Sequence, residues 1–290
     1  MSLIVTSEFE LNRVTAPRLP TAPQQYEARY HDQFADVLRL YFNRLDNILG
    51  QLRTGSGSID GSGVQFPYGA FQDTAFTTLS AGINNSVTTI PVVSTAGFLT
   101  AGELRIATEV ITYTGKTATS FTGCTRGARG SANIAHPTGA VVTKIQSPPA
   151  NTAAPMYVNT TDFSNTVTVV DDYKFTVAKS GLYNLQWSGQ FNNTDTTEHD
   201  GSVWLRINGV DVPGSTGFIA VVSSRGGTPG HGIIGWNYYV QLTAGQNVQI
   251  WWSTNDEKLT LECYGPRTGP VRPSTASVVA TLSFVSSLPP

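Results

Sequence analysis

Residues 156–288 form a succession of short strand-like segments with no helix between them, and this feature constrains the fold most. Parallel α/β folds need helices between their strands, whereas strands joined by turns are typical of antiparallel sandwiches and jelly rolls. We therefore predict that residues 156–290 form a C-terminal β sandwich or jelly roll. Its candidate strands are 156–159, 166–177, 182–191, 202–210, 216–224, 232–242, 247–253, 259–264 and 277–285.

The alternation of side chains along these strands indicates which residues face the core. Successive side chains of a strand point to opposite faces of its sheet. In 247–253 the apolar phase contains Val248, Ile250 and Trp252, so these side chains should be buried. Three large aromatic residues fall in the polar phase of their strands, namely Trp204, Tyr239 and Trp251. Each can bury roughly 150–250 Å², which favours a subunit interface or, as the alternative, a platform on which sugar rings stack.

Residues 21–52 are predicted to form a helix that associates with copies of itself. Thr21 and Gln24 match a capping box, and Pro23 falls in the first turn, where its missing N–H costs nothing. The heptad seam consists of Phe34, Leu38, Tyr41, Leu45, Ile48 and Leu52. Such a seam favours a coiled coil, although an ordinary amphipathic helix packed on its own domain is the alternative. Further apolar residues outside the seam, including Leu40 and Phe42, suggest that another protein contacts this region.

The rest of the chain divides by composition. We expect residues 1–20 to be an extended anchoring arm, 53–65 a flexible Gly/Ser-rich linker and 147–155 a stiffer Pro-rich linker. Between these two linkers, glycines separate short strand-like segments, which predicts a small β module over residues 66–146. The candidate strands of this module are 88–93, 103–106, 109–113, 120–122 and 140–145.

Charge and composition exclude several classes of function. Only 13% of residues are charged, the formal net charge is -2 and no basic stripe occurs, which argues against nucleic-acid binding. No apolar run is long enough to span a membrane, and no secretory signal is visible. Cys124 and Cys263 are too few for a disulfide framework, so we expect two reduced thiols in a protein made in a cytosol.

No catalytic motif occurs, so we expect neither an enzyme nor a bound cofactor. The four histidines fall in different segments, and Gly230–Gly235 matches a dinucleotide glycine pattern only by letters, since it opens a strand. Asp195, Glu198, His199 and Asp200 share one loop. Such oxygen-rich loops can bind calcium, but we favour a solvated loop and expect no metal.

Parts of the chain resemble bacteriophage fibre proteins. Residues 180–188, 203–215, 236–245 and 272–277 resemble, in order, the jelly-roll heads at the ends of phage fibres, which are akin to tumour-necrosis-factor and complement globular heads. Residues 76–146 resemble a small β module of phage fibre and baseplate proteins, and residues 18–47 resemble N-terminal segments of fibre-like proteins. The resemblance implies a homotrimer, and the seam and the three polar-phase aromatics are the interface that the residue pattern predicts for it.

The resemblance also implies a function. It suggests a virion structural protein, assembled in the host cytoplasm, that forms a tail or neck fibre. Residues 1–50 would attach to another virion protein, and the head would contact a host surface glycan or protein. The alternatives are a capsid decoration or collar fibre with a mainly structural role and, less favoured, a carbohydrate-degrading tailspike.

Strand parity suggests which end of the head contacts the host. If strand 277–285 runs back toward the N-terminal foot, loops 192–201 and 265–276 lie at the opposite, free end. The predicted receptor contacts are then Asn192, Asn193, Asp195, Glu198, His199, Tyr264 and Arg267.

Overall fold

The computed structural model describes residues 17–21, 25, 28–53 and 66–287, with the side chains of the helix from 29 to 46. The protein divides into two compact units whose boundary lies between Phe66 and Pro67. The described part of the first unit contains one helix, and the second unit is built almost entirely of strands. The protein is therefore mainly β, as the sequence predicts.

The helix α1 spans Ala28–Arg53 and begins later than predicted. Thr21 lies in an irregular segment, so the capping box predicted at this residue is wrong. Of the predicted seam, Phe34, Leu38, Tyr41 and Leu45 are half-buried, whereas the side chains of Ile48 and Leu52 lie outside the described residues. The coiled coil remains a prediction.

The second unit contains 23 strands. They are β1 Tyr68–Asp73, β2 Phe76–Thr78, β3 Ile90–Pro91, β4 Gly102–Ile106, β5 Glu109–Tyr113, β6 Gly115–Lys116, β7 Ser120–Thr122, β8 Thr125–Ala128, β9 Val141–Gln146, β10 Ala154–Pro155, β11 Thr160–Asn165, β12 Val167–Val170, β13 Lys174–Val177, β14 Gly181–Asn193, β15 His199–Ile207, β16 Val210–Asp211, β17 Gly217–Val221, β18 Gly230–Leu242, β19 Asn247–Thr254, β20 Leu259–Glu262, β21 Arg267–Thr268, β22 Val271–Arg272 and β23 Val278–Ser286.

Two antiparallel sheets form a sandwich. One sheet has the order β11–β1–β23–β14, with β18 on the free edge of β14. The other has the order β12–β13–β19–β15, with β16 and β17 on the free edge of β15. The core between them includes Val248, Ile250 and Trp252, all fully buried, which confirms the phase predicted for this strand. Alternation with one buried face is what holds such strands in register.

The small β module has its own hydrophobic core, but its sheet is continuous with the sandwich. Strand β20 pairs with the end of β14 on one side and with β9 on the other, and β9 leads through β4 and β5 to β8. The module core includes Ile90, Leu104, Ile111 and Phe121, all fully buried. Residues 67–287 are thus one compact unit with two cores.

Strand β1 falls in the range that the sequence assigned to the module, yet it pairs with β11 and β23 of the sandwich. It runs antiparallel beside β23: the Phe284 amide donates to the Pro67 carbonyl at one end of β1, and Asp73 pairs with Val278 at the other. The module therefore joins the sandwich at the end opposite Pro67. The chain re-enters the sandwich only after β9, so the module is an insertion.

A buried polar network fastens the module at this junction. The Asp73 carboxylate accepts hydrogen bonds from Lys144 Nζ at 2.8 Å, Gln146 Nε2 at 2.7 Å and Ser277 Oγ at 2.6 Å. Asp73 is fully buried and Lys144 is only 2% exposed. Gln146 also receives a hydrogen bond from the Tyr157 amide, so the segment predicted as a linker is held between bonded ends.

The structure corrects two predicted strands. Residues 166–177 form a hairpin, β12 and β13, because Asp171 and Asp172 adopt positive φ angles at the turn. Asp tolerates this left-handed conformation better than most residues. The chain therefore reverses direction at these two residues, within a segment whose composition predicts one continuous strand. The segment 156–159 is not a strand, and the chain pairs with β19 slightly earlier, at β10.

Candidate binding site

A cavity of about 660 Å³ lies where the sheet passes from the sandwich into the module. The sandwich contributes the end of β14, the start of β18 and strand β20, and the module contributes the β4–β5 turn and residues near β8. The module insertion thus places side chains that are far apart in sequence around one space. Its volume is within the range of small-molecule sites, but its lining is mostly polar and charged.

Asn192 supplies an amide to the floor of the cavity. Its side chain lies on the same face of β14 as Gln190, and its backbone pairs with His231 on one side and Thr260 on the other. The residue is 1% exposed, and neither its Oδ1 nor its Nδ2 atom has a hydrogen-bond partner among the described residues. Buried amides are normally satisfied, so an amide with neither atom paired is an exception in this fold.

Glu262, at the end of β20, supplies a carboxylate. Its Oε1 atom accepts hydrogen bonds from Arg105 Nε at 2.9 Å and Thr260 Oγ1 at 2.8 Å. Its Oε2 atom has no hydrogen-bond partner in the described part of the chain, although the residue is fully buried. One oxygen is therefore held in place, and the carboxylate is also a hydrogen-bonding neighbour of the Tyr264 hydroxyl.

Tyr264 adds a hydroxyl beside the Glu262 carboxylate. Burial, then the negative charge of Glu262 and a hydrogen bond to its carboxylate, raise the pKa of Tyr264 far above its usual value. The hydroxyl therefore keeps its proton and can donate. The ring lies edge-to-face with His231, and the Arg267 guanidinium stands 5.8 Å from the ring centroid.

Cationic side chains line the rest of the cavity, but most are neutralised. Arg129 pairs with Glu103 at 2.9 Å and with Glu257 at 3.2 Å, and it also donates to the Glu257 carbonyl. Lys258 pairs with Asp195 at 3.0 Å. Arg267 is exposed and forms no ion pair with any residue that the structure describes, so its charge faces the entrance uncompensated.

The seven predicted receptor residues fall into different environments. Asn192, Tyr264 and Arg267 line the one cavity. Asn193 is fully buried and donates hydrogen bonds to the carbonyls of Thr197 and Val221, so it holds the loop and cannot touch a receptor directly. Glu198 is exposed.

Asp195 and His199 belong to an ion-pair network beside the cavity. Asp195 accepts hydrogen bonds from His199 Nε2 at 2.9 Å, from Lys258 and from the Thr196 amide, which hold the pKa of Asp195 well below its usual range. Potential metal-ligand atoms of Asp195, His199 and Asp256 lie within 4.8 Å of one another. The Lys258 ammonium already occupies the Asp195 carboxylate, so the geometry favours an ion-pair network over a metal site.

The polar-phase aromatics lie on two opposite faces. Trp204 and Trp251 are paired across β15 and β19 on the outer face of one sheet, both half-buried, with the Arg206 guanidinium 3.7 Å from the Trp251 ring centroid. Tyr239 lies in the other sheet and is 59% exposed. The three therefore form two separate surfaces.

Sequence reasoning missed Glu262, which is the carboxylate at the cavity, and Arg105, which is its ion-pair partner. They are 157 positions apart, and their contact depends on the pairing of β20 with the module strand β9. No local pattern encodes that pairing. The only available signal was Glu262 in a strand of otherwise uncharged residues, since a buried carboxylate requires a partner.

No protein-family model and no curated protein matches this sequence. Within the part of the chain that the structure describes, no helix is long and apolar enough to cross a membrane.

Proposed function

We propose that this protein is a structural component of a bacteriophage virion: a homotrimeric tail or neck fibre whose head contacts the host surface. It acts by binding and has no enzymatic role. Residues 1–50 attach it to another virion protein. The observation that supports this proposal most is the strand order of the sandwich, taken together with the sequence resemblance to fibre heads.

The strand order is that expected of a jelly roll. In each sheet, strands from the beginning and the end of the domain are neighbours: β1 lies beside β23, and β13 lies beside β19. Strands β14 and β15, consecutive along the chain, lie in different sheets. This wrapping of paired strands supports a jelly roll over a simple meander, and it agrees with the resemblance that residues 180–277 carry.

Two observations support a trimer. The half-buried seam residues Phe34, Leu38, Tyr41 and Leu45 recur at heptad spacing, which stabilises helices that associate. In the head, the Trp204–Trp251 surface and the Tyr239 surface lie on opposite sheets. A closed ring of three subunits needs two different complementary patches on each subunit, so this arrangement suits a cyclic assembly.

The oligomeric state tests the proposal first. We expect the full chain to sediment as a trimer at micromolar concentration. Leu38→Asp, which places a charge in the seam, should weaken the trimer, whereas Leu40→Asp, the same change at a residue that is 57% exposed and off the seam, should not. A monomeric wild-type protein, or equal effects of the two substitutions, would contradict the trimeric fibre.

Host binding tests the function itself. The fluorescently labelled full chain should adsorb to particular strains in a panel of bacteria and leave others unlabelled. Adsorption to none, combined with specific binding to purified phage capsids, would favour the capsid decoration or collar fibre. Release of sugar from host envelopes would favour the tailspike alternative.

A further inference from the structure

We propose that, in the trimer, the β21–β22 hairpin of one copy contacts the acidic start of β15 in the next copy. The two residues that carry this contact are Arg272 on the hairpin and Asp200 in β15. The inference rests on the proposed function, because it describes how three copies of the head meet. It goes further by assigning the contacting residues and the direction of the three-fold axis.

The hairpin is an exposed, positively charged projection with a bonded base. Tyr264 and Thr275 exchange two backbone hydrogen bonds of 3.0 and 2.8 Å at its base, and residues 266–273 beyond them are all exposed. Arg267 and Arg272 lie directly opposite each other, and neither forms an ion pair with a residue that the structure describes. Like charges in such a pair destabilise a hairpin, so an acidic partner from another chain would stabilise it.

Arg272 borders an apolar outer face of the sandwich, which we call the β18 face. This face consists of Ile233, Tyr239 and Val279, all exposed. The pairing of β14 with β18 and β23 places these three side chains on one side of the sheet. Ile233 and Val279 line, together with Arg272, a cavity of about 470 Å³ between the sheet and the hairpin. The cation therefore stands at the end of the β18 face where the module is attached.

The other sheet has an apolar outer face with the opposite charge at the same end. This β15 face consists of the paired Trp204 and Trp251 and of Phe218, which extends it on β17. Asp200 lies on the same side of β15 as Trp204, four residues nearer to the module end. Asp200 and the preceding Glu198 are exposed, and neither is in an ion pair within the described part of the chain.

Three-fold symmetry can bring these two ends together. A closed ring needs two different complementary surfaces on each copy, and the β18 and β15 faces are both apolar with opposite charges at the module end. Rotation about an axis does not move a copy along that axis, so contacting residues lie at the same height. With the axis along the strands, Arg272 of one copy meets Asp200 of the next. Opposite charges placed in this way determine which surfaces join and in which register.

The other end of the β15 face does not offer an equivalent partner. Its exposed carboxylate, Asp211, accepts hydrogen bonds from Arg206 Nε at 2.5 Å and from Trp204 Nε1 at 2.7 Å. A register that placed Arg272 at this end would bring it close to Arg206. Because charges of like sign across an interface disfavour association, the module end is the favoured position for the hairpin.

Cross-linking of the full chain tests the contact directly. Cys124 and Cys263 are buried, so Asp200→Cys combined with Arg272→Cys supplies the exposed thiols. A short bismaleimide should join neighbouring copies of this double variant and give covalent dimers and trimers on a denaturing gel. The matched control combines Asp200→Cys with Ser283→Cys, an exposed position on the side of the β18 face and roughly 13 Å beyond Val279 along β23. This control should remain monomeric on the gel.

Exchange of the two charges tests whether the contact stabilises the trimer. In the Leu38→Asp chain, whose seam is weakened, Arg272→Glu should raise the concentration at which the trimer dissociates at least about fivefold at low salt. Adding Asp200→Arg should restore assembly, because each interface then contains the reversed pair. Arg39→Glu, the same change of charge at an exposed residue of α1 off the seam, should have no such effect. Sedimentation of each variant over a range of concentrations measures the dissociation.

The outcomes separate this inference from the proposed function. A trimeric chain in which the Asp200→Cys and Arg272→Cys pair gives no covalent dimers, or gives no more than the control pair, overturns the contact and leaves the trimeric fibre standing. Equal dissociation of the Arg272→Glu and Arg39→Glu variants does the same. A wild-type chain that sediments as a monomer overturns both proposals. If Leu38→Asp alone abolishes the trimer, the cross-linking result decides.

Discussion

The buried ion pair that fastens the module to the sandwich gives the sharpest prediction for stability. Asp73→Asn keeps the shape of the side chain but removes the charge that compensates Lys144, which is 2% exposed. Removing one partner of a buried pair costs about 3–5 kcal/mol, because the remaining charge is left without compensation. For a unit of this size that lowers the Tm by roughly 6–20 °C.

Two further variants isolate the cause. Asp73→Asn combined with Lys144→Met removes both charges at similar volume and should recover most of the lost stability. Asp171→Asn breaks the exposed pair with Lys174, whose side chains are 59% and 31% exposed, and should cost far less, because solvent screens the two charges. Differential scanning calorimetry of the four proteins measures these values. If Asp73→Asn costs no more than Asp171→Asn, the reasoning about the buried charge is refuted.

Three more predictions concern single sites. Burial favours a raised pKa for Glu109, but hydrogen bonds from its arginine, histidine and backbone partners outweigh it and lower the pKa. The stability from this depressed pKa is fully present above the unfolded value of about 4.3 and is lost as pH falls through the folded pKa; urea unfolding of Glu109→Gln should therefore show a weaker acid dependence than that of the wild type. Burial raises the pKa of Cys124 to about 11 and that of Cys263 to about 12, so iodoacetamide should modify neither thiol in the native protein at pH 8, and rapid labelling would contradict this. A Cβ atom on Gly217 would lie 1.7 Å from the Trp236 ring, so Gly217→Ala should cost about 1–3 kcal/mol by urea unfolding, and an unchanged midpoint would show that the ring moves freely.

The sequence predicts the long strands of the sandwich well, because alternation has a clear physical cause in them. Strand β19 has one face in the core, so Val248, Ile250 and Trp252 stand out against their neighbours. Strand β11 carries mostly exposed side chains and shows no such alternation. It exists because β1 offers it a bonded edge, and that is a property of the tertiary structure rather than of its own residues.

The candidate site shows the same limit. Asn192 and Tyr264 were predicted as contacts from strand parity, and the structure places both at one cavity, although their role in binding remains a prediction. The buried Asn193, next along the chain, shows that parity indicates an end of the domain but not the direction of each side chain. The module wall could not be predicted, because it depends on a long insertion folding back beside β20.

The hydrogen bond between Asp73 and Gln146 joins the two ends of the module, and this bears on how one module could replace another. The chain departs from the sandwich and returns to it at nearly the same point, so the intervening residues behave as a cassette with adjacent ends. Insertions of this kind leave the host domain intact, since the distance between the two attachment points stays fixed. A different cassette that keeps cations at the places of Lys144 and Arg105, opposite Asp73 and Glu262, could be exchanged there and would present new side chains to the same Asn192 floor.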